Sequence, residues 1–260
     1  MLTQEERNQC VESILEVYDT KVQTLRPSAR FSHITFEDAY AISGAVAARQ
    51  QAAGSKLVGY KVGLTSTAMR RSSGIDEPDY GYLFEEFLYQ DGAKIPHAAF
   101  CVPRVELELA FVLGKALKGP NVNIMQVLDA TDYVVPAMEI IDTRVDEPRK
   151  IYDTIADNGA GAGLVLGGRP VKPNAVDLRM IPGILSRNAE IEETGVSCGV
   201  MGHPALGIVW LANKLFQIGE SLHPGQILLA GSYVRPIWAK LGDTVRADFG
   251  ELGSIAVQFV

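Results

Sequence analysis

Residues 104–111 read RVELELAF. Val105, Leu107 and Leu109 alternate with Glu106 and Glu108, the period-two pattern of a strand, in which successive side chains point to opposite faces. The two glutamates therefore share one face, roughly 7 Å apart by strand rise. That face continues with Ala110 and Val112, so the pair does not belong to a long solvated stripe. A second apolar run, VVPAMEIID at 134–142, holds a third acid, Glu139, between Met138 and Ile140. Two readings stay open at this level: half-exposed strands with a wet face, or carboxylates aimed inward. Inward carboxylates repel one another and lose hydration, so they neutralise unless a cation sits between them. All-oxygen ligation suits Mg²⁺, Mn²⁺ or Ca²⁺, and no HxH or HExxH pattern points to zinc.

The chain has 260 residues, 47% hydrophobic and 21% charged, which is enough apolar matter for a large core. Thr3 and Glu6 form a capping-box signal for a helix running to about Leu25. Thr35 to Asp38 repeat the start signal for a helix that stops at Gly54. A third helix is predicted at 204–217, with Ala205, Ile208, Leu211 and Leu215 along one face. Strand patterns occur at 57–62, 105–113, 132–142, 162–167, 184–191, 226–230, 245–249 and 254–259. Helices grouped at the start and strands in irregular order predict an α+β fold. The expected organisation is an N-terminal helical element at 1–55 and a β-rich unit at 56–260.

Formal charge is −7, from 24 basic and 31 acidic residues. An acidic chain without Lys/Arg clusters is a poor nucleic-acid or membrane-surface binder. The N-terminal MLTQEERNQC has no apolar signal region, and no run reaches the length of a membrane helix. Cys10, Cys101 and Cys198 form no CxxC pair and read as free thiols of a cytoplasmic protein. GAGAG at 159–163 does not match a dinucleotide fingerprint, and Ser232 is in no GxSxG elbow. His33, His97, His203 and His223 sit beside turn signals, where surface or capping roles are expected. Lys61, at the end of an apolar strand, is either a snorkelling surface residue or a general acid/base or carboxylate clamp. Asp79, in the acidic DEPDYG turn, either stays in a solvated loop or reaches back to the site.

The stretches GYKVGLTS (59–66), DEPDYGYLF (76–84), VPRVELELAFVL (102–113), ATDYVVPAMEIIDTR (130–144), DTIADN (153–158), WLANKL (210–215), PGQILLAGS (224–232) and GSIAVQFV (253–260) resemble, in this order, the fumarylacetoacetate hydrolase superfamily. Within it the chain is similar to the hydratase and decarboxylase branch of meta-cleavage catabolism. The resemblance implies a large mixed β-roll as the catalytic fold, Mg²⁺ or Mn²⁺ held by Glu106, Glu108 and Glu139, and Lys61 and Asp79 beside the substrate as its proton-transfer groups. It implies hydration of the seven-carbon 2-oxohept-4-ene-1,7-dioate, with 4-oxalocrotonate-type decarboxylation or 2-oxopent-4-enoate hydration as alternatives. A homo-oligomer is implied, with a decamer as the assembly it suggests. Ser232, Arg70, Arg71 and Arg235 are expected to contact the substrate, the arginines because a dicarboxylate needs a cation at its far end. Hydrolysis of an acylpyruvate would need a His–acid pair, and no matching acid pattern surrounds His33. A non-catalytic metal-binding protein is the remaining alternative. Against this family pattern, the segment 143–150 after Glu139 reads as short.

Overall fold

The computed structural model describes residues 1–67, 70–71 and 75–260. Three helices come first. α1 (Gln4–Thr20) begins at a reciprocal capping box, in which the Glu6 N–H donates to Thr3 Oγ1 and the Thr3 N–H to Glu6 Oε2. It stops earlier than Leu25 because Lys21 turns left-handed, at φ 55°. α2 (Pro27–Arg30) is one turn, and α3 (Phe36–Ala52) starts at a second capping box, Thr35 with Asp38. Val11 and Ile14 of α1 pack on Ile42 and Val46 of α3, and this cluster takes in Val145 and Ile155 from the rest of the chain.

The strands are β1 (Leu57–Gly63), β2 (Asp79–Phe84), β3 (Leu88–Gln90), β4 (Lys94–Ile95), β5 (Arg104–Leu113), β6 (Thr131–Ile141), β7 (Gly161–Leu166), β8 (Pro182–Arg187), β9 (Glu190–Val196), β10 (Ile227–Leu229), β11 (Ile237–Trp238), β12 (Thr244–Asp248) and β13 (Ser254–Phe259). Between them lie the helices α4 (Ile124–Ala130), α5 (Ile151–Ala156) and α6 (Ala205–Phe216). One sheet runs β2–β1–β10–β5–β6–β7–β3, with β11 alongside β5; the other runs β4–β13–β12–β8–β9. The first is mixed, since β1 pairs parallel with β10 while β5 pairs antiparallel with β6. The odd face of β5, Val105 to Phe111, shares a core with Val245, Phe249 and Phe259. Its even face ends in Ala110 and Val112, packed in a cluster with Ala47 of α3. Alternation on β5 thus separates two buried surfaces, and the two glutamates occupy one end of the second.

Several local features differ from the sequence reading. The single strand expected at 184–191 is a hairpin, because Asn188 and Ala189 both take positive φ, 53° and 67°, the geometry of a two-residue primed turn. The acidic turn at 76–81 yields to a strand from Asp79 onward. α4, which the sequence reading did not predict, starts at a third capping box, Asn123 with Gln126. No helix of the described residues is long and apolar enough to cross a membrane.

Asp38 ties the N-terminus down. Its carboxylate accepts from the N–H groups of Leu2 and Thr35 at 2.9 and 3.0 Å and pairs with Arg7 at 2.7 Å. Burial opposes the charge, yet these donors outweigh it and hold Asp38 below the ordinary carboxylate range. A depressed pKa stabilises the fold above the unfolded-state pKa, and that stability is lost as pH falls through the folded-state value. Asp38→Asn is expected to cost about 2 kcal/mol near neutral pH. Urea unfolding at decreasing pH should show the gap to the wild type closing in the acid range.

Candidate active site

Strand register places the acids. Glu106 of β5 lies directly opposite Glu139 of β6, and Glu108 opposite Ala137. Ligand oxygens of Glu106, Glu108 and Glu139 lie within 4.8 Å of one another. Glu108 and Glu139 are buried, whereas Glu106 is partly exposed. Glu108 Oε2 accepts from the Gly231 N–H at 2.7 Å. Among the described residues neither oxygen of Glu139 accepts a hydrogen bond, and Lys61 Nζ lies 3.4 Å from Oε1.

Lys61 and Asp79 come from the paired strands β1 and β2. Gly63 faces Asp79 in register, and a Cβ there would stand 2.1 Å from Asp79 Oδ1 and 3.3 Å from Lys61 Nζ. The glycine is what makes room for the Asp79 carboxyl. Gly81, opposite Lys61, plays a similar part: a Cβ would meet the Asn158 carbonyl at 2.2 Å. That close approach seats the turn at 158–160, all three residues left-handed, so that the Gly159 carbonyl accepts from Lys61 Nζ at 3.0 Å. Lys61 and Asp79 are both buried, and Asp79 Oδ1 has no hydrogen-bond partner among the described residues.

The electrostatics follow from burial and crowding. Desolvation, then mutual repulsion, pushes Glu106 and Glu108 above the ordinary carboxylate range, and desolvation raises Glu139 against the opposing pull of Lys61. Asp79 is raised by burial, again opposed by Lys61. For Lys61, burial favours the neutral amine, but Glu139, Asp79, Glu106 and Glu108 together outweigh it and hold the ammonium above its usual range. Four carboxyls and one amine leave the cluster over-acidic, and Asp79 and Glu139 keep buried oxygens that accept no hydrogen bond among the described residues. A hard divalent cation fits this donor set.

Two cavities meet at Glu106. The larger, about 610 Å³, is lined by Lys61, Asp79, Glu106, Arg104 and Arg149, with Phe36, Ile141 and Tyr152 among its apolar walls. The smaller, about 360 Å³, is lined by Glu106, Glu108, Glu193, Ser232, Tyr233 and Arg235. Ser232 Oγ lies 3.1 and 2.9 Å from the carbonyls of Leu107 and Val234 and stays at the smaller cavity. Arg235 is 81% exposed and pairs with Glu193 at 2.8 Å. The structure does not bring Arg70 to the carboxylates: its guanidinium donates to the carbonyls of Leu64 and Thr65, at 3.1 and 2.7 Å, and so pins its own turn. Arg71 is exposed. His203 takes the expected capping role, its Nδ1 accepting from the Ala205 N–H at the start of α6.

Sequence reasoning missed four contributors. Gly159 lay in a glycine-rich stretch read as chemically silent. Tyr233 carries a buried hydroxyl with no partner, pushed above the usual tyrosine range by burial and by Glu108. Arg104 opens the RVELELAF stretch, and period-two spacing puts it on the face of the acid pair. Arg149 belongs to the 143–150 segment, which is continuous and supplies Glu147, Arg149 and Lys150 to the larger cavity.

Residues 51–260 match the family described as fumarylacetoacetate (FAA) hydrolase C-terminal. A 2-oxo-hept-4-ene-1,7-dioate hydratase of Escherichia coli is 51% identical over 240 residues, 90% of each chain. A 2-keto-4-pentenoate hydratase of Paraburkholderia xenovorans (strain LB400) is 34% identical, with 99% of this chain and 96% of that one covered. Among solved structures, 4-oxalocrotonate decarboxylase from Pseudomonas putida G7, complexed with magnesium and adipate, superposes with a TM-score of 0.97 at 31% identity. That match covers 100% of this chain and 99% of the other, so overall length gives no sign of a deletion at 143–150.

Mg²⁺ is expected to raise the melting temperature of chelator-treated protein, by an amount equivalent to about 2.7 kcal/mol at a hundred times its Kd. Calorimetry with and without Mg²⁺ should show Glu106→Gln folded but unresponsive. A Glu106→Gln protein with the full metal shift would contradict the assignment of this cluster.

Proposed function

The chain belongs to the fumarylacetoacetate hydrolase family, and we propose that it is a metal-dependent hydro-lyase converting 2-oxohept-4-ene-1,7-dioate, through its 2-hydroxy-2,4-dienoate form, to 4-hydroxy-2-oxoheptane-1,7-dioate. One observation carries this reading: three carboxylates converge beside a buried Lys61 and Asp79, and among the described residues neither Glu139 oxygen accepts a hydrogen bond. The similarity to the Escherichia coli hydratase supports the choice of substrate. Glu106, Glu108 and Glu139 would hold Mg²⁺ or Mn²⁺. When bound, that cation supplies Lewis-acid polarisation of the 2-oxo group.

The remaining chemistry is proton movement by the chain's own residues. The dienol gains a proton at C5 and loses one from the C2 hydroxyl, which leaves a conjugated 2-oxo-3-enoate. Water then adds its oxygen to C4 and a proton to C3, so the net change is one water gained. Asp79, favoured in its protonated form by burial, suits a carrier at Oδ1. Lys61, fixed by the Gly159 carbonyl and Glu139, presents a positive charge where the C2 oxygen becomes anionic. Gly63 keeps Asp79 and Lys61 at this spacing.

A second reading has its own support in the fold match to a 4-oxalocrotonate decarboxylase. Loss of CO₂ leaves the same enolate, so Lys61 and Asp79 would serve both reactions. We read residues 1–55 as a helical element that completes the site of the 56–260 catalytic unit, since Phe36 lines the larger cavity. A cytoplasmic location agrees with three free cysteines. A homo-oligomer, with a decamer as its suggested size, agrees with the outer hairpin, where Ile184, Ile191 and Val196 are exposed on one face by register.

Mass spectrometry of 2-hydroxyhepta-2,4-diene-1,7-dioate treated with protein and Mg²⁺ is expected to show the gain of one water. Loss of CO₂ from the six-carbon 4-oxalocrotonate, with no hydration of the seven-carbon dienoate, would establish the decarboxylase instead. Lys61→Met and Asp79→Asn are expected to lower kcat by about 10²–10⁴-fold. Gly63→Ala, which displaces Asp79 without removing it, should cost about 10²-fold; unchanged kinetics in Gly63→Ala would remove Asp79 from the mechanism.

A further inference from the structure

We propose that Arg104 and Arg149 form the subsite for the far carboxylate of a dicarboxylic 2-oxo acid, at the end of the larger cavity away from Glu108 and Glu139. This rests on the hydratase reading and deepens it by locating the determinant of dicarboxylate preference, which sequence reasoning had placed on Arg70, Arg71 and Arg235.

The larger cavity is lined by Lys61, Asp79 and Glu106 and also by Arg104, Arg149 and Lys150, with Glu147 as the acid beside these cations. Strand order on β5 puts Arg104 beyond Glu106 on the side away from Glu108. Glu147 is already engaged, since its two oxygens accept from Arg149 Nε at 2.9 Å and from the Arg149 N–H at 2.8 Å. Both terminal nitrogens of Arg149 therefore lack a hydrogen-bond partner among the described residues. The Arg149 side chain is only 14% exposed, so it is held at the cavity and not spread into solvent. Arg104 makes no hydrogen bond or ion pair through its side chain among the described residues; its guanidinium lies over the Trp238 ring, 5.1 Å from the centroid. Two partly buried guanidinium groups with free donors on one wall are an arrangement that a carboxylate completes, because each offers a planar fork of N–H groups.

The spacing agrees. Arg104 and Glu106 sit on the same face of β5 two residues apart, roughly 7 Å along the strand. In a seven-carbon diacid, C2 and C7 are separated by five carbon–carbon bonds of about 1.5 Å each. A head held at the glutamates thus delivers its tail to Arg104. Ile141, Ile151 and Tyr152 line the same cavity and suit the hydrocarbon between. The smaller cavity offers no comparable end: its Arg235 is mostly exposed and paired with Glu193, and Glu106 and Glu108 add negative charge there.

The test compares binding of 2-oxoheptanedioate and 2-oxoheptanoate to Mg²⁺-loaded full-length protein by calorimetry. The two ligands share the chelating head and differ in the terminal carboxylate. The wild type is expected to prefer the diacid by about thirtyfold or more, and Arg104→Gln and Arg149→Gln to reduce that preference to about threefold or less. Arg104→Lys, which keeps charge but loses the fork, should retain an intermediate preference. Equal affinity of the wild type for both ligands, or an equal loss for both ligands in the variants, would overturn the subsite while leaving the hydratase reading standing. Failure of both ligands to bind in the presence of Mg²⁺ would overturn the hydratase reading, and the subsite with it.

Discussion

Glu106 faces Glu139 across the β5–β6 ladder, a like-charge pair of the kind that ordinarily weakens a sheet. Oxygens of three ionised glutamates within 4.8 Å of one another would repel by about 3 kcal/mol per pair even at an effective dielectric of 20. The rest of the molecule is arranged around that conflict. The ladder is long, pairing Arg104 through Leu113 with Ile141 through Thr131, and its opposite face is sealed into the inter-sheet core. Apolar burial along the strand therefore holds the register that electrostatics opposes. Lys61 supplies one positive charge against four acids, and a divalent cation is the natural remainder.

The two cavities that meet at Glu106 have different chemistry. One is lined by Glu106, Glu108 and Glu193 and by the loop at 232–236; the other is lined by Lys61, Asp79, Glu106 and Ile141 together with Arg104 of β5 and residues 147 and 149–150. The N-terminal helices take part through Phe36, whose ring lies tilted against that of Tyr152, with 4.8 Å between centroids. Arg144 and Asp157, both buried, join the chain just after β6 to the end of α5. Arg144 also lies over the Tyr18 ring, at 4.8 Å, so one cation links α1, the β6 exit and the turn that presents Gly159 to Lys61.

Much of this was legible in the chain. Period-two alternation located β5 and β6 and put both acids of β5 on one face, and capping boxes located α1 and α3. What spacing could not reveal was register across strands, so the meeting of Glu106 with Glu139 came from resemblance and not from pattern. Asp79 looked like a loop acid because Asp, Glu and Pro crowd the turn before it; pairing with β1 overrides that local preference. Of the arginines expected at the substrate, Arg70 donates to the carbonyls of its own turn and Arg235 lines the smaller cavity, whereas Arg104, two residues from Glu106 on the same face of β5, lines the larger one. Gly159 and Arg149 depend on long-range packing that no local pattern encodes.

The most direct test is crystallographic. Crystals of the chelator-treated protein soaked in Mn²⁺ should give one anomalous difference peak per chain, bounded by Glu106, Glu108 and Glu139 and beside the ammonium of Lys61. A map with no peak among these carboxylates, or with the metal bound elsewhere while they stay unligated, would contradict the claim that this acid cluster is built for a metal.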